Sequence, residues 1–134
     1  MKHGFNGDIE KLTLENSDFR HILYTGEHSQ LVLMSLLPRE EIGLETHQGI
    51  DQFFRFEQGQ GKVIINDVTY YVSDGDAIIV PSGSQHNVIN VSDTIDLKFY
   101  TIYSPAHHKD GMVRKTKTEA EASDPEFEGE TTEK

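Results

Sequence analysis

Short runs rich in β-branched and aromatic residues recur along the first hundred residues, and turn signals separate them. The runs are Ile9–Leu14, Arg20–Tyr24, Leu31–Leu37, Gln52–Phe56, Lys62–Ile65, Thr69–Val72, Ala77–Val80, His86–Val91 and Leu97–Tyr103. Asn66-Asp67 predicts a two-residue hairpin turn between two of these runs. No segment before residue 110 carries a sustained apolar period of about 3.6 residues. Many short, evenly spaced strands predict an all-β sandwich or barrel.

The pattern ends near residue 113, where the chain becomes charged and poor in apolar residues. Residues 119–133 hold seven of the 23 acidic residues and no basic one. Such a composition is typical of a solvated segment, so we expect about the last fifteen residues to be disordered, although a short helix is also compatible. We therefore predict one β-domain over residues 1–112, with its core at about 30–104, and a charged tail over 113–134.

Charge and composition exclude several classes of function. The formal net charge is −11, which leaves no basic stripe to neutralise phosphates and argues against nucleic acid as a partner. There is no cysteine, so disulfide and thiol chemistry are excluded. The first ten residues lack the apolar run of a secretion signal, and no apolar stretch is long enough to cross a bilayer. We expect a cytoplasmic protein with a small-molecule ligand and no membrane partner.

Four polar side chains are placed to meet at one end of the predicted barrel. Because side chains alternate along a strand, Glu45 and His47 point the same way, and Gln52 shares its face with Phe54. His86 begins a new strand after a turn rich in Pro and Gly. These side chains form polar donors above an apolar floor, as in many small-molecule pockets.

Glu45, His47, Gln52 and His86 supply the donor atoms that divalent metals prefer. Two imidazoles and one carboxylate can hold Fe(II) as a facial triad, and an added amide oxygen suits Zn, Mn, Ni or Co as a Lewis acid. We predict one divalent metal ion on these four residues. The alternative is a metal-free barrel with two core histidines.

The spacing of these residues resembles that of the cupin superfamily. Gly75, Pro81, Gly83, His86 and Asn90 match the second cupin motif at each defining position. The first motif extends from Gly43 to Gly59, but Glu45 stands where a histidine is usual and Gln52 where an acid is usual. The resemblance covers about residues 30–104. It implies a double-stranded β-helix (jelly-roll) barrel and a homodimer.

The resemblance also suggests the chemistry. Cupin-type mannose-6-phosphate isomerases use His, Glu and Gln donors, and small cupins that linearise unsaturated uronates carry a Gln at the position of Gln52. Both imply a redox-neutral isomerase or lyase acting on a sugar-derived or other small hydroxy-carbonyl compound. The alternatives are an Fe(II) dioxygenase built on Glu45, His47 and His86, and a binding cupin without catalysis.

Further positions in the sequence are candidates for roles near the predicted site. Tyr100 and Tyr103 lie on opposite faces of the last predicted strand, and either is a candidate proton shuttle if it reaches the pocket. Asp51 is an alternative ligand if the backbone bulges beside Gln52. The pair His107-His108 is predicted as a solvated linker, and a position over the pocket mouth is the alternative.

Overall fold

The computed structural model describes all residues from 1 to 134 and contains ten strands and two short helices. The strands are β1 (Arg20–Thr25), β2 (Gln30–Leu36), β3 (Glu45–Thr46), β4 (Asp51–Gln58), β5 (Gln60–Ile65), β6 (Val68–Ser73), β7 (Ala77–Val80), β8 (Gln85–Asn90), β9 (Leu97–Ser104) and β10 (Val113–Arg114). The helices are α1 (Ile9–Glu15) and α2 (Lys117–Ala122). Neither helix has the length and apolar character needed to span a membrane.

Two antiparallel sheets form a jelly-roll barrel, as the resemblance to cupins implied, and this agrees with the all-β barrel that the strand pattern predicted. The larger sheet has the order β10-β1-β2-β9-β4-β7, and the smaller has the order β3-β8-β5-β6. Sequence neighbours β4 and β5 belong to different sheets, so the chain crosses between them at Gly59. The fold is therefore all-β, with one core between the sheets.

Aromatic side chains of β4 and β9 fill the core beneath the open end of the barrel. Gln52, Phe54 and Phe56 are buried on the inner face of β4, as strand alternation predicted. The rings of Phe56 and Phe99 lie 5.2 Å apart, and the ring of Phe54 is 5.8 Å from that of Phe99. Gln52 lies two residues before Phe54 on the same buried face of β4.

The first predicted strand is wrong, because Ile9–Leu14 lies in helix α1. The side chain of Asp8 caps the helix by accepting a hydrogen bond from the backbone N–H of Lys11 at 3.2 Å. Thr13 is the buried residue of the helix. The short strands β3 and β10 were not predicted at all, since two residues carry no readable alternation.

Residues 113–134 were predicted as a charged tail, with about the last fifteen residues disordered or partly in a short helix, and the structure shows defined contacts between this segment and the barrel. Strand β10 pairs with β1, and Thr116 caps α2 through a hydrogen bond from the backbone N–H of Glu119. Farther on, the N–H of Phe127 donates to the carbonyl of His107 at 2.9 Å. Composition did not predict these contacts with the barrel, because they are made by Ala120, backbone groups and charged pairs rather than by large apolar side chains.

Candidate metal centre

Glu45, His47 and His86 converge at the mouth of the barrel. Glu45 is directly opposite His86 in the β3–β8 pair, and His47 follows β3 two residues after Glu45. One potential ligand atom from each of the three side chains lies within 4.8 Å of the other two. Both histidines are buried, at 8% and 3% exposure. This group of donors could hold a metal ion.

Gln52 lies beside this group with one polar atom unused. Its Nε2 donates a hydrogen bond to Oγ1 of Thr101 at 3.0 Å, while its buried Oε1 has no hydrogen-bond partner. Gln52, His47 and His86 also line the same small enclosed gap. An amide oxygen without a partner in a buried site is costly unless a ligand satisfies it.

The two histidines present free ring nitrogens to the site. Nδ1 of His86 lies 3.1 Å from the carbonyl oxygen of Ser84, which can only accept, so Nδ1 carries the proton and Nε2 keeps its lone pair. Nε2 of His47 is buried without a hydrogen-bond partner, because Oε2 of Glu45 is 3.6 Å away. The unpartnered atoms of His47 and Gln52 therefore fit a cation.

The electrostatics of the site keep both imidazoles neutral. Burial, followed by repulsion from His107 and His86, lowers the pKa of His47 to about 3. Burial also lowers the pKa of His86 and raises that of Glu45, although the nearby Arg20 partly offsets the shift at Glu45. Neutral imidazole is the form that binds metal.

Of the other candidate residues, Tyr103 lies next to the candidate metal centre, whereas Tyr100 and Asp51 do not. Tyr103 is buried, its ring is edge-on to His47 with centroids 5.8 Å apart, and its strand position faces Gln52. Tyr100 packs on the other face of the sheet against Phe53, with centroids 6.2 Å apart. Asp51 is directed away, since its Oδ1 accepts from the backbone N–H of Ser82 at 2.9 Å.

His107 and His108 are not the solvated linker that was predicted. The ring of His107 is 4.3 Å from that of His47, and His108 is only 1% exposed. Nε2 of His108 is 3.2 Å from the Tyr103 hydroxyl, and its Nδ1 is 3.0 Å from Oδ1 of Asp124. The C-terminal segment (residues 106–127) thus extends the polar site beyond the four predicted ligands.

The side chain of Gln30 holds the His107-His108 backbone in place. Its Oε1 accepts the N–H groups of both histidines at 3.2 and 3.0 Å, and its Nε2 donates to the carbonyl of His108 at 2.7 Å. These contacts join residues more than 70 positions apart. The available sequence signal was a pair of histidines directly after the last barrel strand, which is consistent with a position over the mouth.

A cavity of about 400 Å³ leads from the surface to His47. Its lining combines the loop after β3 with the C-terminal segment and comprises Thr46, His47, Gln48, Ile50, Ala106, His107, Glu126 and Phe127. The volume is within the range of sites that take small ligands. The C-terminal segment therefore forms part of the wall of the approach to the site.

The chain is similar to known proteins over most of its length. YrkC of Bacillus subtilis (strain 168) is 44% identical over 123 residues, which cover 87% of this chain and 66% of YrkC, so the chain spans about two thirds of that relative. The crystal structure of BH2720 from Bacillus halodurans is 41% identical, with a TM-score of 0.87 over 90% of this chain and 96% of that chain.

A more distant crystal structure, a predicted oxalate decarboxylase from Thermotoga maritima, is 25% identical with a TM-score of 0.55. It covers 59% of this chain and 68% of its own. The family model described as the cupin domain matches residues 32–103. The barrel, the two spaced motifs and this match establish that the chain belongs to the cupin family.

Proposed function

We propose that this cupin is a metal-dependent enzyme that holds one divalent cation on Glu45, His47 and His86, with Gln52 as a fourth donor. The reaction we assign to it is a redox-neutral isomerisation or elimination on a small hydroxy-carbonyl compound. The observation that carries the proposal is the pair of buried, unpartnered donor atoms, Nε2 of His47 and Oε1 of Gln52, beside a convergent carboxylate and imidazole.

The donor set suits a Lewis acid. A bound Zn, Mn, Ni or Co ion would polarise a carbonyl or hydroxyl oxygen of the substrate. Glu45 contributes the single negative charge of the set, and Gln52 would add a neutral oxygen. The hydroxyl of Tyr103 lies 3.2 Å from Nε2 of His108, on a residue that strand register pairs with Gln52. It is the group that we assign to hold a proton at the reacting centre.

The second candidate is an Fe(II) dioxygenase. It is favoured by the compactness of the group formed by two histidines and one carboxylate, which needs no contribution from Gln52. The description of the Thermotoga maritima protein as a predicted oxalate decarboxylase supports small carboxylated substrates for either candidate.

The deciding experiment is the metal content of untagged protein purified without chelator, measured by elemental mass spectrometry beside a His86→Ala variant. Stoichiometric Zn, Mn, Ni or Co that the variant loses supports the redox-neutral enzyme. Iron that the variant loses favours the dioxygenase. A metal-free wild type contradicts both and leaves a cupin that binds small molecules without catalysis.

Turnover separates the two enzyme classes. Proton NMR in D₂O detects exchange of hydrogen at the carbon next to a carbonyl, and sugar phosphates and unsaturated uronates are the first compounds to test. An oxygen electrode detects the dioxygenase. Exchange without oxygen uptake supports the isomerase or lyase.

We also propose a homodimer. Two edge strands expose large apolar side chains, with Tyr71 on β6 75% exposed and Ile79 on β7 65% exposed. Sedimentation velocity at micromolar concentration measures the mass directly, and a monomer there contradicts this proposal.

A further inference from the structure

Arg20 on β1 is a buried cation whose side chain makes no hydrogen bond to the protein. It is 4% exposed, and its Nε is fully buried without a partner. The carboxylate that pairs with it, Oδ2 of Asp124, lies 3.7 Å from Nη1, beyond hydrogen-bonding distance. The ring of Phe19, 5.1 Å from the guanidinium carbon, supplies only a weak cation–π contact. A buried arginine with an unpartnered Nε is costly in free energy, and a buried charge is usually matched closely by an anion.

The guanidinium borders a cleft that also reaches the candidate metal centre. This cleft of about 250 Å³ is lined by Phe19, Arg20, Ile42, Glu45, Lys117, Ala120, Glu121 and Asp124. Glu45 belongs both to this lining and to the group of metal donors. A small molecule that contacts Arg20 in the cleft therefore lies alongside a metal ligand.

The charged side chains that line the cleft favour an anion with a single charge over one with two. Arg20 and Lys117 are its two cations, and Glu45, Glu121 and Asp124 are its three acids. A phosphate dianion would meet strong repulsion from these carboxylates. A carboxylate carries a single charge, and its two oxygens match the parallel N–H groups of a guanidinium.

We propose that Arg20 binds the carboxylate of the substrate, so that the enzyme acts on a small hydroxy or keto acid. The proposal deepens the function assigned above and rests on it for the metal. The rest of the substrate, carrying the hydroxyl or carbonyl group, extends from Arg20 towards Glu45. Asp124 competes for the same cation, and the hydrogen bond between its Oδ1 and His108 keeps it at the edge of the cleft.

Isothermal titration with glycolate and with its neutral amide, glycolamide, tests this assignment on metal-loaded protein. We expect Arg20→Gln to weaken glycolate binding by about tenfold or more, the usual loss for a hydrogen bond to a charged group. Glycolamide binding and metal content should not change. Arg20→Lys, which keeps the charge without the planar fork, should give an intermediate loss. The control is Arg39→Gln, which removes an exposed arginine paired with Asp93.

Three results would overturn the proposal: glycolate binding unchanged in Arg20→Gln, equal losses for glycolate and glycolamide, or loss of the metal from that variant. The last would mean that Arg20 only balances the charge of Glu45.

Asp124→Asn provides a test that does not depend on the folding of an Arg20 variant. Removing the competing carboxylate should tighten glycolate binding several-fold, and a misfolded protein cannot produce that gain. Unchanged or weaker binding would contradict the proposal.

The same titration on metal-free protein separates this proposal from the proposed function. If the purified protein holds no metal but still binds glycolate in a manner that depends on Arg20, the metal assignment fails and the carboxylate site stands. If metal is present but glycolate binding does not depend on Arg20, the carboxylate site fails and the metal assignment stands.

Discussion

Glu45 is the residue on which the charge of the candidate metal centre depends. It is the only acid among the three convergent donors. Replacing it with glutamine keeps its size but removes the charge, so we expect Glu45→Gln to lower metal affinity by at least about tenfold, as even the loss of indirect ligand contacts does. Competition with a chromogenic chelator measures this affinity.

The control for this change is Glu27→Gln, which removes an acid with a 77% exposed side chain in the hairpin after β1. Equal metal affinity in Glu45→Gln and in wild type would place Glu45 outside the site and remove the carboxylate from the proposed donor set.

Gly43 and Gly59, the first and last glycines of the first motif, differ in what surrounds them. Both have positive φ, at 110° and 95°. A Cβ on Gly43 meets nothing within 4 Å, whereas one on Gly59 would lie 2.7 Å from the backbone oxygen of Asp96. We expect Gly43→Ala to cost about 1–3 kcal/mol through strain alone, and Gly59→Ala to cost clearly more. Urea unfolding measures the free-energy cost of each substitution. Equal costs would show that the backbone near Gly59 shifts to make room for the added methyl group.

Motif spacing predicted which side chains belong to the candidate site, but it did not predict what surrounds each of them. Glu45, His47, Gln52 and His86 could be named because strand alternation and the resemblance to two glycine-framed motifs place them at one end of the barrel. Arg20 could not be found, since an arginine at the start of a strand looks like a solvated residue until the neighbouring elements are known.

Among the elements, helix α2 determines how firmly the C-terminal segment lies on the barrel. Ala120 is 4% exposed and packs with the main apolar core. We expect Ala120→Glu to detach α2, because a buried carboxylate there has neither space nor a partner. Hydrogen exchange should then accelerate in residues 106–108 and 117–124.

The matched control is Thr118→Glu, which adds the same charge on the exposed side of the same helix. Fast exchange confined to 117–124, with 106–108 still protected, would show that Gln30 keeps the His107-His108 backbone in place without help from α2.

Element prediction failed where two periodicities fit one short segment. Ile9–Leu14 alternates well enough for a strand, and the deciding signal was Asp8, whose side chain caps the helix. Strands β4, β7 and β9 were recovered because each has four or more residues, and alternate side chains along each strand are buried in one core.

For the whole molecule, burial of histidines links stability to pH. In the metal-free protein the pKa of His47 is lowered to about 3 and that of His107 to about 4, in both cases mainly by burial. The unfolded chain takes up these protons near its ordinary pKa of about 6.5, so stability is complete above that value and falls as the pH drops toward 4.5. Each such histidine contributes a slope of up to about 1.4 kcal/mol per pH unit.

His107→Gln isolates one proton of this effect without altering a proposed ligand. We expect its free energy of unfolding, measured by urea titration with chelator present, to depend on pH less steeply than that of wild type between pH 6.5 and 4.5. His28→Gln, at a side chain that is 89% exposed, should keep the wild-type slope. A His107→Gln slope as steep as that of wild type would show that His107 does not remain neutral in the folded protein.

Polar contacts between the two ends of the described chain have a consequence for the order of assembly. Glu133 accepts hydrogen bonds from the backbone N–H groups of His3 and Gly4, and Thr132 pairs with Thr25. Loop closure over such separations is slow, while the barrel pairs between β2, β4 and β9 form without residues 113–134. We expect Glu45, His47 and His86 to come together first, so that a metal ion can enter through an open mouth before residues 113–134 dock beside it.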